Sequence, residues 1–133
     1  MKKIYKTFVV EDNRTEGLLL QLALSEILNL EVKMFPTAQS LLEHLIENPA
    51  IVIVDLNLPD MTGLELIKII REKHPKIRIV VVSAQRDMDM LAKVQAMGIY
   101  NYLVKSEDCL VYLHKVIEEL LIILEYQQTF NTH

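Results

Sequence analysis

Apolar and polar positions alternate along this chain between two kinds of segment. Dense runs of Val, Ile, Leu and aromatic residues occur at Ile4–Val10, Leu30–Phe35, Ile51–Val54, Ile77–Val82 and Tyr100–Val104. Between them, apolar residues recur every three or four positions, the spacing of a helix with one buried stripe. The first such stretch opens after Asp12 and Asn13, either of which can cap it, and carries Leu20, Leu24, Ile27 and Leu28 on one face. Thr37 caps a second with Leu41, Leu42, Leu45 and Ile46, ended by Asn48-Pro49. A third presents Leu64, Ile67 and Ile70 and stops at Pro75. A fourth runs from a cap at Asp87 through Met97 to Gly98, and the last begins near Glu107 or Asp108 and meets no stop signal before about Phe130.

The pattern predicts five strands alternating with five helices. Leu30–Phe35 alternates Leu30, Val32 and Met34 against Glu31 and Lys33, whereas the third and fourth runs are almost uniformly Val and Ile. Unbroken apolar strands are what a parallel sheet covered on both faces requires. Right-handed crossovers then give an α/β fold, a doubly wound five-stranded parallel sheet in a three-layer αβα sandwich.

Four of the runs end in a chemically distinctive residue. The first leads into Glu11 and Asp12, the third into Asp55, the fourth into Ser83 and the fifth into Lys105. In a parallel sheet these strand ends share one edge, where open α/β sheets bind their ligands. Three carboxylates, a hydroxyl and an ammonium would meet there. Each close like-charged pair costs about 4 kcal/mol at an effective dielectric near 20, so such a pocket calls for a divalent cation and suits an oxyanion such as a phosphoryl group. Length and composition narrow the possibilities further. With 133 residues, 51% apolar and 24% charged, the chain fits one folded domain and excludes disorder. A net charge of −4 with scattered basic residues argues against a nucleic-acid surface. Cys109 is the single cysteine, so no internal disulfide forms, and the longest apolar stretch, Leu120–Leu124, is too short for a bilayer. Met1-Lys2-Lys3 leads straight into a strand run, so no signal peptide is expected and the predicted location is cytoplasmic.

Glu11-Asp12, Asp55 with Asn57-Leu58-Pro59-Asp60-Met61-Thr62-Gly63, Ser83-Ala84, and Tyr102-Leu103-Val104-Lys105 together resemble the receiver domain of two-component response regulators, over roughly residues 4–124. The resemblance implies a flavodoxin-like sheet of order 2-1-3-4-5. It makes Asp55 the phosphoacceptor, taking a phosphoryl group from a sensor histidine kinase or phosphotransfer protein. Mg²⁺, or Mn²⁺, would be held by Asp12, Asp55 and the main-chain carbonyl of Asn57, with Glu11 mostly on a metal-bound water. Lys105 would pair with Asp55 and then with the phosphoryl oxygens. Ser83 and Tyr102 would act as the switch that reshapes the fourth helix, fifth strand and fifth helix for an output. Such a domain is a signalling module that catalyses only its own phosphotransfer and slow autodephosphorylation. Three positions depart from the commoner pattern: Glu11 for aspartate, Ser83 for threonine, and Ser106 where many receivers have a proline reached by a cis bond. A phosphohydrolase of the haloacid-dehalogenase type also uses a strand-end aspartate and Mg²⁺, but it needs a second acid two residues later. Asn57 stands there and cannot move protons.

Residues 1–125 are expected to form the receiver and 126–133 a helical extension or tail. On the last helix Leu110, Leu113, Ile117, Leu120 and Leu124 follow one face, yet Val116, Leu121, Ile122, Ile123 and Tyr126 are apolar too. Residues 116–130 are therefore expected to self-associate as a homodimer or to lead into an output domain, unless the extra apolar residues pack under the first helix. Asp60, Asp87 and Asp89 read as solvated surface. His44, His74 and His114 read as surface or helix-end residues, and Cys109 as a small helix-start residue. Met88, Met90 and Met97 are either packing or an adaptable partner surface.

Overall fold

A computed structural model describes residues 3–84 and 86–131. Its elements alternate as β1 (Tyr5–Val10), α1 (Arg14–Ser25), β2 (Leu30–Phe35), α2 (Ala38–Glu43), β3 (Ile51–Val54), α3 (Gly63–Lys73), β4 (Arg78–Ser83), α4 (Met88–Gln95), β5 (Asn101–Val104) and α5 (Cys109–Asn131). All strand pairs are parallel and the sheet order is β2-β1-β3-β4-β5. The doubly wound architecture and the strand order are both as expected.

The uniform Val/Ile runs divide between two cores by the two-residue period of a strand. Phe8, Val10, Val52, Val54, Ile79 and Val81 face one side with Leu66, Ile67 and Ile70 of α3. Val9, Ile51, Ile53, Val80 and Val82 face the other with Leu20 and Leu24 of α1 and Leu113, Ile117 and Leu120 of α5. β3 is buried throughout, and β1 and β4 carry polar residues only near their ends and at Thr7, which is fully buried within β1.

Two helices differ from the sequence expectation. α1 ends at Ser25, and Ile27 closes a turn back to the Leu24 carbonyl. Ile27 is buried, but the chain has left the helix by Leu28, which is 99% exposed. α2 breaks after Glu43 into a 3₁₀ turn at Leu45–Glu47, closed by Asn48 in the left-handed region at φ 55° before Pro49. The tighter winding of that turn swings Ile46 out to solvent while Leu45 stays buried. No described helix is long and apolar enough to cross a membrane.

Candidate functional site

Main-chain hydrogen bonds continue the ladder one residue past the strand ends, and this fixes the polar residues there. Glu11 N–H donates to the Phe35 carbonyl (3.0 Å), Asp55 N–H to Val10 (3.2 Å) and Lys105 N–H to Ser83 (2.9 Å). Val10 pairs with Val54, so Glu11 and Asp55 leave adjacent strands at the same level. Side by side at the end of a covered sheet, both carboxylates are only 5% exposed. Asp12, one residue further out, is exposed.

Lys105 reaches this pair from β5. Its Nζ donates to Glu11 Oε1 at 2.8 Å and to Asp55 Oδ2 at 2.9 Å. The turn after Asp55 folds back so that Asn57 N–H donates to Asp55 Oδ1 at 3.0 Å. α3 starts against the same turn. Gly63 N–H donates to the Leu56 carbonyl, and a Cβ at Gly63 would lie 2.5 Å from Leu56 Cα and 2.8 Å from the Asp55 carbonyl. Only glycine permits that approach, which accounts for Gly63 at the end of the loop.

The charges are out of balance. Glu11, Asp12 and Asp55 each place a carboxylate oxygen within 4.8 Å of the others, against one ammonium. Burial, with Asp55 adding to it, pushes the Glu11 carboxyl up to about 7 against the pull of Lys105 and the Asn13 N–H. Burial by itself would lower the Lys105 ammonium, but its bonds to Glu11, Glu16 and Asp55 outweigh that and hold it above its ordinary value. Three hard oxygen donors crowded with surplus negative charge fit Mg²⁺, which takes carboxylate and carbonyl oxygens while keeping part of its water shell.

Behind this edge, Ser83 is fully buried at the end of β4, and its side chain hydrogen-bonds with the phenol of Tyr102 on β5. Burial raises the Tyr102 phenol, the Ser83 contact lowers it, and Asp55 adds to the rise. Tyr102 thus feels the charge of Asp55, with Ser83 next to it at the end of β4. No cis peptide bond occurs among the described residues, so Ser106 follows Lys105 through a trans bond.

Among the other residues, Asp60 departs from its expected reading. Asp60 is exposed but not merely solvated: Oδ1 accepts from Ala38 N–H (3.0 Å) and Oδ2 from Gln39 N–H (2.8 Å), tying the acidic loop to the start of α2. Those amides are otherwise orphaned at a helix N-terminus, which also favours a negative charge. Asp87 caps α4 as expected through the Asp89 N–H. His44 and His74 stand at the ends of α2 and α3, His114 lies among Glu26 and Glu118, and buried Cys109 opens α5. Met90 and Met97 pack against the core, whereas Met88 is 72% exposed.

One site residue has no counterpart in the sequence analysis. Glu16, in the first turn of α1, gives Lys105 a third carboxylate partner. The signal was present: a capped helix beginning directly after Glu11-Asp12 must rise from the same edge as the strand ends.

A family model for the response regulator receiver domain matches residues 7–117. The DNA-binding transcriptional regulator NtrC of Proteus hauseri is 30% identical over 102 residues, which cover 76% of this chain and 21% of that protein. The transcriptional regulatory protein CitT of Halalkalibacterium halodurans is 30% identical over 109 residues, 79% of this chain and 47% of that protein. The chain thus spans between a fifth and a half of these curated relatives. Among solved structures, the signal receiver domain of a LuxO repressor protein from Vibrio parahaemolyticus superposes with a TM-score of 0.88 at 18% identity, covering 98% of this chain and 99% of that one. A CheY-like receiver domain protein from Methanospirillum hungatei gives 0.81 at 24% identity, covering 94% and 99%. These two likenesses establish the fold; the family match over most of its length places this chain among the receiver domains of two-component response regulators.

Proposed function

We propose that Asp55 is the phosphoacceptor of this receiver and that the reaction is carried by Glu11, Asp12, Asn57 and Lys105 around it. The observation that supports this most directly is the state of Asp55. A carboxylate 5% exposed at the end of a central strand is oriented by the Asn57 N–H on one oxygen and by Lys105 on the other. Phosphoryl transfer asks a protein mainly for such positioning and for charge stabilisation. An Asp55 oxygen attacks phosphorus, the bond from phosphorus to the donor histidine nitrogen breaks, and that nitrogen leaves with the electron pair. Lys105 then transfers its hydrogen bond from the carboxylate to a phosphoryl oxygen. Glu11, Asp12, Asp55 and the Asn57 carbonyl would hold Mg²⁺ (or Mn²⁺), which supplies neutralisation of the phosphoryl charge.

The chain's own catalysis is limited to this transfer and to slow loss of the phosphoryl group to water. Ser83 and Tyr102 are the switch: the hydroxyl turns to the new phosphoryl oxygens, their mutual hydrogen bond is given up, and the change passes to α4, β5 and α5. A sensor histidine kinase or phosphotransfer protein in the cytoplasm is the donor, and an output domain or separate protein reads the switched face. Incubation with phosphoramidate and Mg²⁺ tests the assignment by mass. One phosphoryl group should be gained and should vanish in Asp55→Asn and with EDTA, and undiminished labelling of Asp55→Asn refutes it.

A further inference from the structure

Lys105 is held on two sides. An ammonium has three donors, and all three are committed: two to the buried Glu11 and Asp55, the third to Glu16 Oε2 at the rim. Glu16 is itself anchored. Its N–H donates to Asn13 Oδ1 at 2.9 Å, and Asn13 N–H donates to Glu11 Oε2 at 3.2 Å. Glu11, Asn13, Glu16 and Lys105 thus close a ring of hydrogen bonds linking the end of β1, the first turn of α1 and the end of β5. Beside the ring a cavity of about 280 Å³ lies between α1 and the start of α5, with Glu16, Lys105, Ser106 and Leu110 in its wall. The lysine has space on the Glu16 side as well as a partner there.

We infer that Glu16 is a positioning residue that draws the Lys105 ammonium toward the rim and so slows capture of a phosphoryl group at Asp55. This rests on the assignment of Asp55 as phosphoacceptor. A phosphorylated Asp55 presents more oxygens to Lys105 than a bare carboxylate, yet no donor is spare. Of the three partners, Glu16 is the one to yield: its side chain is 44% exposed, against 1% for Glu11 and 6% for Asp55, so water replaces the lost bond readily. Until it yields, an extra negative charge stands beside the path of an anionic donor, and the cation meant to offset it is shared. Release of Glu16 also opens the ring, while the Asn13 cap on the Glu16 N–H stays in place.

The test measures phosphoramidate labelling of the whole chain with Mg²⁺. Glu16→Gln keeps shape and removes charge, and should label about three- to tenfold faster than the parent, the worth of one charge-assisted hydrogen bond at a partly exposed site. Glu16→Gln combined with Lys105→Met should label no faster than Lys105→Met alone, because Glu16 acts through the ammonium. Equal acceleration in both backgrounds means that Glu16 acts by repulsion alone and overturns the inference, as does an unchanged rate in Glu16→Gln. In either of those cases normal, Asp55-dependent labelling of the parent leaves the functional assignment standing. A parent protein that does not label at Asp55 removes the assignment itself.

Discussion

Glu11 should make the metal-free protein lose stability as pH rises toward neutrality. Its carboxyl goes from 4.5 to about 7, chiefly through burial and then through Asp55, with Lys105 and the Asn13 N–H working the other way. An acid whose native-state pKa is raised binds its proton more tightly when folded than when unfolded. Its contribution is therefore fully present below the unfolded value of 4.5 and is lost as pH climbs through about 7. The two values differ by about 2.5 pH units. At about 1.36 kcal/mol per unit, the loss is bounded at about 3 kcal/mol, a large part of the 5–15 kcal/mol typical of a domain. Urea unfolding of the parent and of Glu11→Gln, each in EDTA, isolates this contribution. Glu47 and Asp60, whose carboxyls are held below the ordinary range by their hydrogen bonds to lysines and to backbone amides respectively, act in the opposite sense at more acid pH and are common to both proteins. Across the window from 4.5 to about 7 the parent should fall by about 2–3 kcal/mol relative to Glu11→Gln. Mg²⁺ should remove the decline, since a cation binds the ionised carboxylates of the native state and stabilises it by mass action. Parallel curves for the two proteins in EDTA would refute the claim that Glu11 is charged at a cost.

Three further outcomes follow from the same geometry. Gly63→Ala forces a Cβ into the backbone of Leu56 and Asp55, and should lower stability by about 1–3 kcal/mol in urea unfolding and slow Asp55 labelling with it. Ser83→Ala should leave phosphorylation intact while weakening the response; if beryllofluoride shifts the resonances of residues 86–115 as strongly in Ser83→Ala as in the parent, Ser83 is not the coupling residue. On α5, Leu120 and Leu121 are buried and Ile123 is half-buried, so the extra apolar residues partly pack under α1, but Ile122, Tyr126 and Phe130 form an exposed stripe with the last two rings 4.6 Å apart. We propose that this stripe pairs two copies, so sedimentation should show concentration-dependent association abolished by Ile122→Glu, and a monomer at every concentration would leave the stripe without that role.

The parts of this fold that were legible in the sequence are those where one residue type serves one local rule. Uniform Val and Ile in β3 and β4 could only mean a sheet covered on both faces, and Thr37 and Asp87 cap the helices that follow them, as Asn13, one of the two candidates there, caps α1. The site was legible for a related reason. A parallel sheet delivers every strand end to one edge, so Glu11, Asp55, Ser83 and Lys105 meet whatever the helices do. Leu28 and Ile46 were misplaced because apolar spacing continues past the true helix ends. The deciding events were backbone hydrogen bonds, Ile27 to Leu24 and His44 to Leu41, which side-chain periodicity does not encode.

Glu16 was missed for a third reason, and it bears on how the site works. An acidic residue in the first turn of a helix is already accounted for by the exposed N–H groups there, so its type raised no question. Its second role depends on where Lys105 arrives, 89 positions along the chain, and on how that ammonium shares its donors. Sequence spacing can bring a cation to an edge, but it cannot say how many carboxylates will compete for it. Four carboxylates, Glu11, Asp12, Asp55 and Glu16, gather around one lysine at this edge. The surplus charge fits the edge to take a divalent ion. The sharing ties the position of Lys105 to the charge of three carboxylates at once, so on the proposed assignment of Asp55 a phosphoryl group arriving there rearranges the ring that joins β1, α1 and β5.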